Sequence, residues 1–190
     1  MQLSIRDLTF AYPGGEPVFE HLNLNLDTGW RLGVIGRNGR GKTTLLRCIA
    51  GLETPDGGTV TGVPEKLGFV FQEDRLCLGL DAVENVRLVT GRRMTVTDIE
   101  AQLTELGLDT CLHQRTEELS GGQRRRVSIA RAVCCGGGLL LLDEPFKGLD
   151  SDARDRAAQY ILRRRGGAAV VCVTHDREDA AALGAEIIAL

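Results

Sequence analysis

The chain has 190 residues, 43% of them hydrophobic and 26% charged, with 23 basic residues against 26 acidic ones and a formal net charge of −3. That length carries one buried core with room for a small subdomain, and the near-balance of charge excludes a global field that would draw the protein onto nucleic acid or anionic lipid. No run approaches the ~18 apolar residues that span a bilayer, and the opening MQLSIRDLTF lacks the basic-then-apolar order of a signal peptide, so a cytoplasmic protein is expected.

Two apolar-alternating stretches, 3–10 and 22–26, read as strands separated by the turn-rich YPGGEP. WRLGVIG, 30–36, is a compact apolar run that reads as a buried strand. KTTLLRCIAG, 42–51, carries Leu45, Leu46, Ile49 and Ala50 at helical spacing, with Gly51 as its stop. TPDGG, 54–58, reads as a turn and KLGFVFQ, 66–72, as another strand. Residues 81–114 read as mainly helical, with VTDIEAQLTELG the clearest amphipathic segment. Ser120 starts a further helix, and LLLLDEP, 139–145, is an all-apolar strand of the kind buried in a parallel sheet. SDARDRAAQYILRRRG reads as a helix, AAVVCVTH as a strand, REDAAAL as a short helix and EIIAL as a final strand. Strands alternate with helices through most of the chain, which predicts an α/β fold with a mainly parallel sheet.

Arginine runs at 92–93, 124–126 and 163–165 read as solvated helix faces or ends. The six cysteines, at 48, 77, 111, 134, 135 and 172, show no CxxC spacing, so neither a zinc site nor a disulfide framework is expected. Cys48 and Cys172, inside apolar segments, read as small buried thiols.

GRNGRGKTT, 36–44, follows a strand and opens a helix, the context that a phosphate-binding loop needs. Gly36, Gly39 and Gly41 let the loop curl so that successive N–H groups point inward, and no Cβ holds phosphate oxygens away. The helix starting near Lys42 adds the positive end of its dipole. Lys42 supplies a mobile charge for β- and γ-phosphates, and the Thr43 hydroxyl is a candidate Mg²⁺ ligand. Hydrolysis needs more, and LLLLDEP ends in two adjacent carboxylates that a strand points in different directions. Asp143 is the candidate for the metal shell and Glu144 the candidate general base. Gln72 ends a strand and is a candidate for the metal or the water. His175 ends another and is a candidate partner of the γ-phosphate. His21 and His113 have no such context.

LSGGQ, 119–123, sets a puzzle, because glycine is the poorest ordinary residue inside a helix. Ser120 and Gln123 fit a reciprocal capping box, yet capping does not explain Gly121 and Gly122. Bare amides at a helix start are an anion site. The chain therefore has two phosphate-facing helix starts, and a single ATP has one γ-phosphate, already held by the first. The economical reading gives the second to the ATP of a neighbouring copy.

The ordered set GRNGRGKT, FQ, LSGGQ, LLLLDEP, Leu149-Asp150 and Thr174-His175 resembles the ATP-binding cassette (ABC) ATPases over essentially the whole chain. The resemblance implies a P-loop NTPase core with a mainly parallel sheet, an N-terminal antiparallel β part and an inserted α-helical subdomain at roughly 75–135, all within one domain, 1–190. It implies ATP and Mg²⁺ as cofactors, with Thr43, Gln72 and Asp143 at the metal and Glu144, His175 and Gln72 catalytic. Gly36, Arg37, Asn38, Gly39, Arg40, Gly41, Lys42, Thr43 and Thr44 would hold the phosphates, and Tyr12 matches the aromatic that stacks on adenine. Ser120, Gly121, Gly122 and Gln123 would act in trans in a head-to-tail pair of cassettes formed with ATP, and Asp150 would lie at the seam. A separate transmembrane permease is the implied partner, with a solute-binding protein as an indirect one and no nucleic acid. Such a subunit would sit on the inner face of the cell membrane.

VFQEDRLCLGLDAVENV is similar to the ATPase subunits of nitrate, sulfonate and taurine importers, which points to import. Lys147-Gly148 stands where those importers commonly have Ser-Ala, and CLGL replaces a Leu-Pro-Trp type segment. The sequence stops at EIIAL where many relatives continue; a minimal cassette and a truncated product would read alike. The alternative is a soluble ABC ATPase of repair, translation or cluster assembly. The chain has neither an inserted coiled coil nor a second cassette. A regulator that hydrolyses little is disfavoured by the full set Gln72, Asp143, Glu144 and His175.

Overall fold

In β1 (Leu3–Ala11) the buried side chains of Leu3, Ile5, Leu8 and Phe10 face one core, and the strand pairs antiparallel with β2 (Pro17–Leu26). The computed structural model describes residues 2–27, 29–37 and 39–190. β2 begins five residues earlier than the predicted 22–26, with its proline at the first position of an outer strand, where no ladder N–H is needed.

The predicted turn at 54–58 is also corrected. Gly57 and Gly58 open β4 (Gly57–Thr61), which lies on the other side of β1 to complete a sheet of order β2-β1-β4. Gly58 has φ +82°, and a Cβ there would overlap the Asp7 carbonyl oxygen. Its glycine marks a close approach to the irregular middle of β1 rather than a chain reversal.

The second sheet is parallel and ordered β5-β6-β7-β3-β8. It comprises β3 (Arg31–Ile35), β5 (Leu67–Val70), β6 (Leu139–Asp143), β7 (Ala169–Thr174) and β8 (Glu186–Ala189). β6 and β7 are buried along their whole length, which is why they read as continuous apolar runs. The strand period of two divides their side chains between two cores. Leu139, Leu141, Val171 and Val173 pack toward the antiparallel sheet and α1 (Lys42–Ile49), together with Leu45, Leu46 and Ile49. Leu140, Leu142, Val170 and Cys172 face the opposite core. That core is closed by α2 (Ala82–Thr90), α3 (Val96–Glu105), α4 (Gly121–Cys134), α5 (Ser151–Arg164) and α6 (Arg177–Ala182).

Local signals explain the helix starts. Asp81 with Glu84 and Thr95 with Asp98 form reciprocal capping boxes on α2 and α3, and Ser120 with Gln123 forms the predicted one on α4. Fully buried Asn85 exchanges hydrogen bonds with both backbone groups of Cys77 and donates to the Leu80 and Asp81 carbonyls, fixing the loop that enters α2. All six cysteines are free; Cys48 and Cys172 are buried as predicted, and burial pushes the Cys48 thiol up to about 11. Among the described residues no helix is long and apolar enough to cross a membrane.

Candidate active site

The carboxyl ends of β3, β5, β6 and β7 open on one side of the parallel sheet, where folds of this class place their ligands. After β3 the chain enters α1 by way of Gly36, Arg37 and residues 39–41. Gly41 is the residue before the helix, at φ +79°, and a Cβ there would overlap Val18 Cγ1 and lie 2.9 Å from Phe19 Cζ. Among the described residues, no side-chain cap is made at the start of α1, where the capping position is Gly41. Lys42 is 8% exposed, and its Nζ folds back over the loop to donate to the carbonyls of Gly36 (2.7 Å) and Arg37 (3.2 Å). The result is a helix start with open donors and a cation beside it, an anion site by construction.

The end of β6 meets this loop. Thr43 Oγ1 donates to Asp143 Oδ2 at 2.8 Å. Burial pushes the Asp143 carboxyl up, the Thr43 hydrogen bond opposes that, Glu144 adds to it, and Arg125 and Arg47 pull back. Glu144 is buried and sits in the left-handed region at φ +48°. Its carboxylate accepts from His175 Nδ1 at 2.9 and 3.0 Å, and its Oε2 lies 3.2 Å from Thr174 Oγ1. The Glu144 hydrogen bond raises the exposed His175 imidazole above its ordinary 6.5. Asp143, the last residue of β6, therefore turns toward the loop, and Glu144, just past the strand, turns toward the end of β7; the left-handed turn at Glu144, not the strand alternation expected from the sequence, produces the split.

A cleft of about 340 Å³ is lined by Tyr12, Val18, Gly39, Gly41, Lys42, Thr43, Thr44, Gln72, Asp143 and Glu144. Nine of those ten were read from the sequence. The Tyr12 hydroxyl lies 3.1 Å from Thr44 Oγ1, and its ring, 40% exposed, stands edge-on to Phe10. Gly36 and Arg37 join the cleft through Lys42, and His175 through Glu144. Arg40 is exposed on the loop and does not line the cleft. Asn38 lies outside the described residues.

Ser120, Gly121, Gly122 and Gln123 do not line the cleft. A Cβ added to Gly121 meets nothing within 4 Å, and one on Gly122 meets only Leu149 Cδ2 and Gly148 O, at 3.4 and 3.5 Å. Asp150 caps α5, its Oδ1 accepting from Ala153 N at 2.8 Å.

The arginine run at 124–126 is not a solvated face. Arg125 is 5% exposed, donating to the carbonyls of Phe71 and Gln72 at 2.6 Å each and pairing with Asp74 at 3.4 Å. Arg131 continues the clamp onto the carbonyls of Asp74 (3.0 Å) and Arg75 (2.9 Å). The segment carrying Gln72 is thus tied to α4. The overlooked signal was helical spacing, since Arg125, Ile129 and Val133 recur every four residues on the buried stripe. Val18 was missed because β2 was predicted to begin after it. Thr174 was read only as half of the Thr174-His175 pair, and Asp179, which accepts from Thr174 Oγ1 at 2.9 Å, was not singled out.

The family model described as "ABC transporter" matches residues 19–147. The taurine import ATP-binding protein TauB of Escherichia coli O157:H7 is 37% identical over 195 residues, covering 95% of this chain and 76% of that protein. The sulfate/thiosulfate import ATP-binding protein CysA of Neisseria meningitidis serogroup A is 36% identical over 211 residues, covering 100% of this chain and 59% of that one. Among solved structures, the dimeric form of MJ0796, described as a bacterial ABC transporter cassette, superposes with a TM-score of 0.87 at 30% identity, covering 99% of this chain and 94% of that one. A post-hydrolysis dimer of the same cassette, bound to ADP and Pi, gives a TM-score of 0.86.

Proposed function

Since this chain belongs to the ABC transporter family, we propose that it is the ATP-hydrolysing subunit that powers solute import through a separate membrane permease. The importer relatives support the direction of transport, and the cleft supports the chemistry. One observation carries the reading. Thr43–Asp143 and His175–Glu144 join two strand ends, those of β6 and β7, and the start of α1 around a single cleft that also holds Lys42 and Gln72.

In this reading the phosphates of ATP settle on the uncapped start of α1. Lys42 leaves the Gly36 and Arg37 carbonyls for the β- and γ-phosphates, and Tyr12 offers its exposed ring to adenine. Arg37, Asn38, Arg40 and Thr44 complete the loop's hold. Glu144 receives a proton from the water that attacks the γ-phosphorus, with His175 steadying the carboxylate and the γ-phosphate. Thr43, Asp143 and Gln72 form an all-oxygen donor set, with the first two atoms 2.8 Å apart, which fits Mg²⁺. Bound there, the ion would neutralise charge on the phosphates.

The start of α4 lies outside the chain's own cleft and has open space at Gly121. This supports its use by the nucleotide of a second copy, with Asp150 near the seam. Residues 1–190 then act as one cassette, with α2–α4 as the helical subdomain at roughly 75–135. The cassette works on the inner face of the cell membrane, with a solute-binding protein as an indirect partner.

Glu144→Gln tests the assignment of the base. Turnover is expected to fall by about 10²–10⁴-fold, the usual worth of a general base, while MgATP binding is retained. Undiminished turnover in that variant would remove Glu144 from the reaction.

A further inference from the structure

Tyr12 follows the last residue of β1, and its backbone is already fixed on both sides. Gly15 N donates to Tyr12 O at 2.9 Å, and the preceding Ala11 N donates to Asp56 Oδ2 at 2.7 Å. The Tyr12 ring stands at 90° to that of buried Phe10, with centroids 4.9 Å apart. Its hydroxyl lies 3.1 Å from Thr44 Oγ1, in the first turn of α1. Among the described residues neither hydroxyl has another hydrogen-bond partner. Thr44 is 5% exposed, yet it lines the cleft together with Tyr12.

We propose that the Tyr12 hydroxyl and Thr44 form a tether that joins recognition of the base to recognition of the phosphates, with Thr44 a positioning residue for the Tyr12 ring. The proposal rests on the assignment of Tyr12 as the residue that stacks on adenine. Packing on Phe10 alone leaves a ring that is 40% exposed free to reach other rotamers, and a base can use only those turned to the cleft. Thr44 is β-branched and lies in a helix, so its oxygen is confined to few rotamers and makes a firm anchor. The protons also balance, since each hydroxyl has one proton and two lone pairs. When Tyr12 donates to Thr44 Oγ1, the Thr44 proton is left for a phosphate oxygen at the start of α1. When Thr44 donates to Tyr12 instead, it has no proton for the phosphate. A bound phosphate therefore selects the first arrangement, and two hydrogen bonds in series strengthen each other. Phenylalanine would supply the same stacking face without the tether, so the hydroxyl at residue 12 has a use of its own. Base and phosphate recognition become mutually dependent, and the site favours ligands carrying both over inorganic polyphosphates.

ADP and inorganic pyrophosphate are the probes, because they share two phosphates, differ by adenosine, and have no γ-phosphate to lose. Their Kd values in the presence of Mg²⁺ are measured by calorimetry for the parent, Tyr12→Phe, Thr44→Val and Thr44→Ser, and for each Thr44 variant combined with Tyr12→Phe. Thermal melting checks the folding of each. Tyr12→Phe keeps the ring and should weaken ADP by about fivefold, the ordinary net worth of one hydrogen bond, and pyrophosphate by less than about twofold. Thr44→Val keeps the shape without the hydroxyl and should weaken both ligands, after which Tyr12→Phe costs nothing further. Thr44→Ser keeps a hydroxyl, so in that background Tyr12→Phe should again weaken ADP. A parental ADP Kd in Tyr12→Phe would overturn the proposal. So would an undiminished effect of Tyr12→Phe in the Thr44→Val background, or a loss of pyrophosphate affinity equal to that of ADP. If Thr44→Val fails to fold, the exposed Tyr12→Phe change alone carries the test through its split between the two probes. A folded Tyr12→Ala protein that binds ADP as the parent does would instead defeat the adenine assignment itself.

Discussion

Replacing Arg125 with leucine removes the clamp on the Gln72 segment while leaving an apolar side chain on the stripe it shares with Ile129 and Val133. Two hydrogen bonds from a charged donor, each 2.6 Å long, are lost from the Phe71 and Gln72 carbonyls. Bonds to charged groups are worth ~1.5–3 kcal/mol each, which sets an upper range of ~3–6 kcal/mol. Two effects reduce it. Phe71 and Gln72 are partly open to solvent, so water replaces part of what is lost. Burial of the guanidinium is also unfavourable, pushing its pKa down, and the leucine removes that cost. A net loss of about 2 kcal/mol follows, lowering a urea midpoint by about 1 M for a slope of ~2 kcal/mol per M. Such a protein remains folded, given the ~5–15 kcal/mol typical of native domains, so changes in turnover are read on intact molecules. Gln72 is then free to drift, and a misplacement near ~1 Å costs up to ~10²-fold in rate. The assay is urea unfolding beside MgATP turnover, with Arg125→Lys as a control whose single ammonium cannot serve both carbonyls with one planar fork. A leucine variant stable to within ~0.5 kcal/mol of the parent, the scatter of ordinary surface changes, and turning over ATP as fast would refute the clamp.

Gly41→Ala combines a left-handed residue, costing ~1–2 kcal/mol, with overlap against Val18 and Phe19, costing a further ~1–3 kcal/mol; a lower melting temperature and weakened nucleotide binding are expected, and an unshifted melt would contradict the packing. His175 has a folded pKa raised above 6.5, so its bond to Glu144 contributes fully below pH 6.5 and fades as pH rises through the raised value. An NMR titration should place the midpoint above 6.5 and return it toward 6.5 in Glu144→Gln; a midpoint indifferent to that substitution would rule out the pairing. Gly121→Asp meets open space at the start of α4 and adds a negative charge that the helix dipole favours, so stability should hold or rise slightly. Its ATPase activity should nonetheless vanish, and mixing with a Lys42→Ala chain should restore one composite site; the absence of rescue at every ratio would exclude action in trans.

What could be read from the sequence was whatever repeats on a local period or sits at a fixed spacing. The buried runs of β6 and β7, the capping box on α4 and the loop before α1 all have that character, and all stand where their residues predicted. The errors have another physical origin. Gly57 and Gly58 are shaped by contact with β1, some fifty residues earlier in the chain, and glycine carries no mark that distinguishes close approach from a turn. Arg125 departs from the expected solvated face because its partners are backbone carbonyls that no sequence pattern displays, and only its helical spacing marks it as buried. Asp179 carries no mark in the sequence because its contact with Thr174 depends on where α6 packs against the end of β7, which is a tertiary fact.

The division of labour between Asp143 and Glu144 also has a backbone cause. A glutamate at φ +48° occupies a region that costs a residue with a Cβ about 1–2 kcal/mol. The strain persists because both sides are fixed. Leu140, Leu141 and Leu142 are locked in the sheet before it, Phe146 is buried after it, and Glu144 N donates to Val173 O at 2.9 Å. In a continued strand Glu144 would point to the face of the sheet opposite Asp143, into the far core and away from the cleft. Breaking the strand at Glu144 turns that carboxylate out over the sheet's end beside Thr174 and His175, while Asp143, still paired in β6, lies beside Thr43. The left-handed residue is therefore what allows two adjacent acids to serve one cleft, and its strain is carried by the most deeply buried strands of the fold.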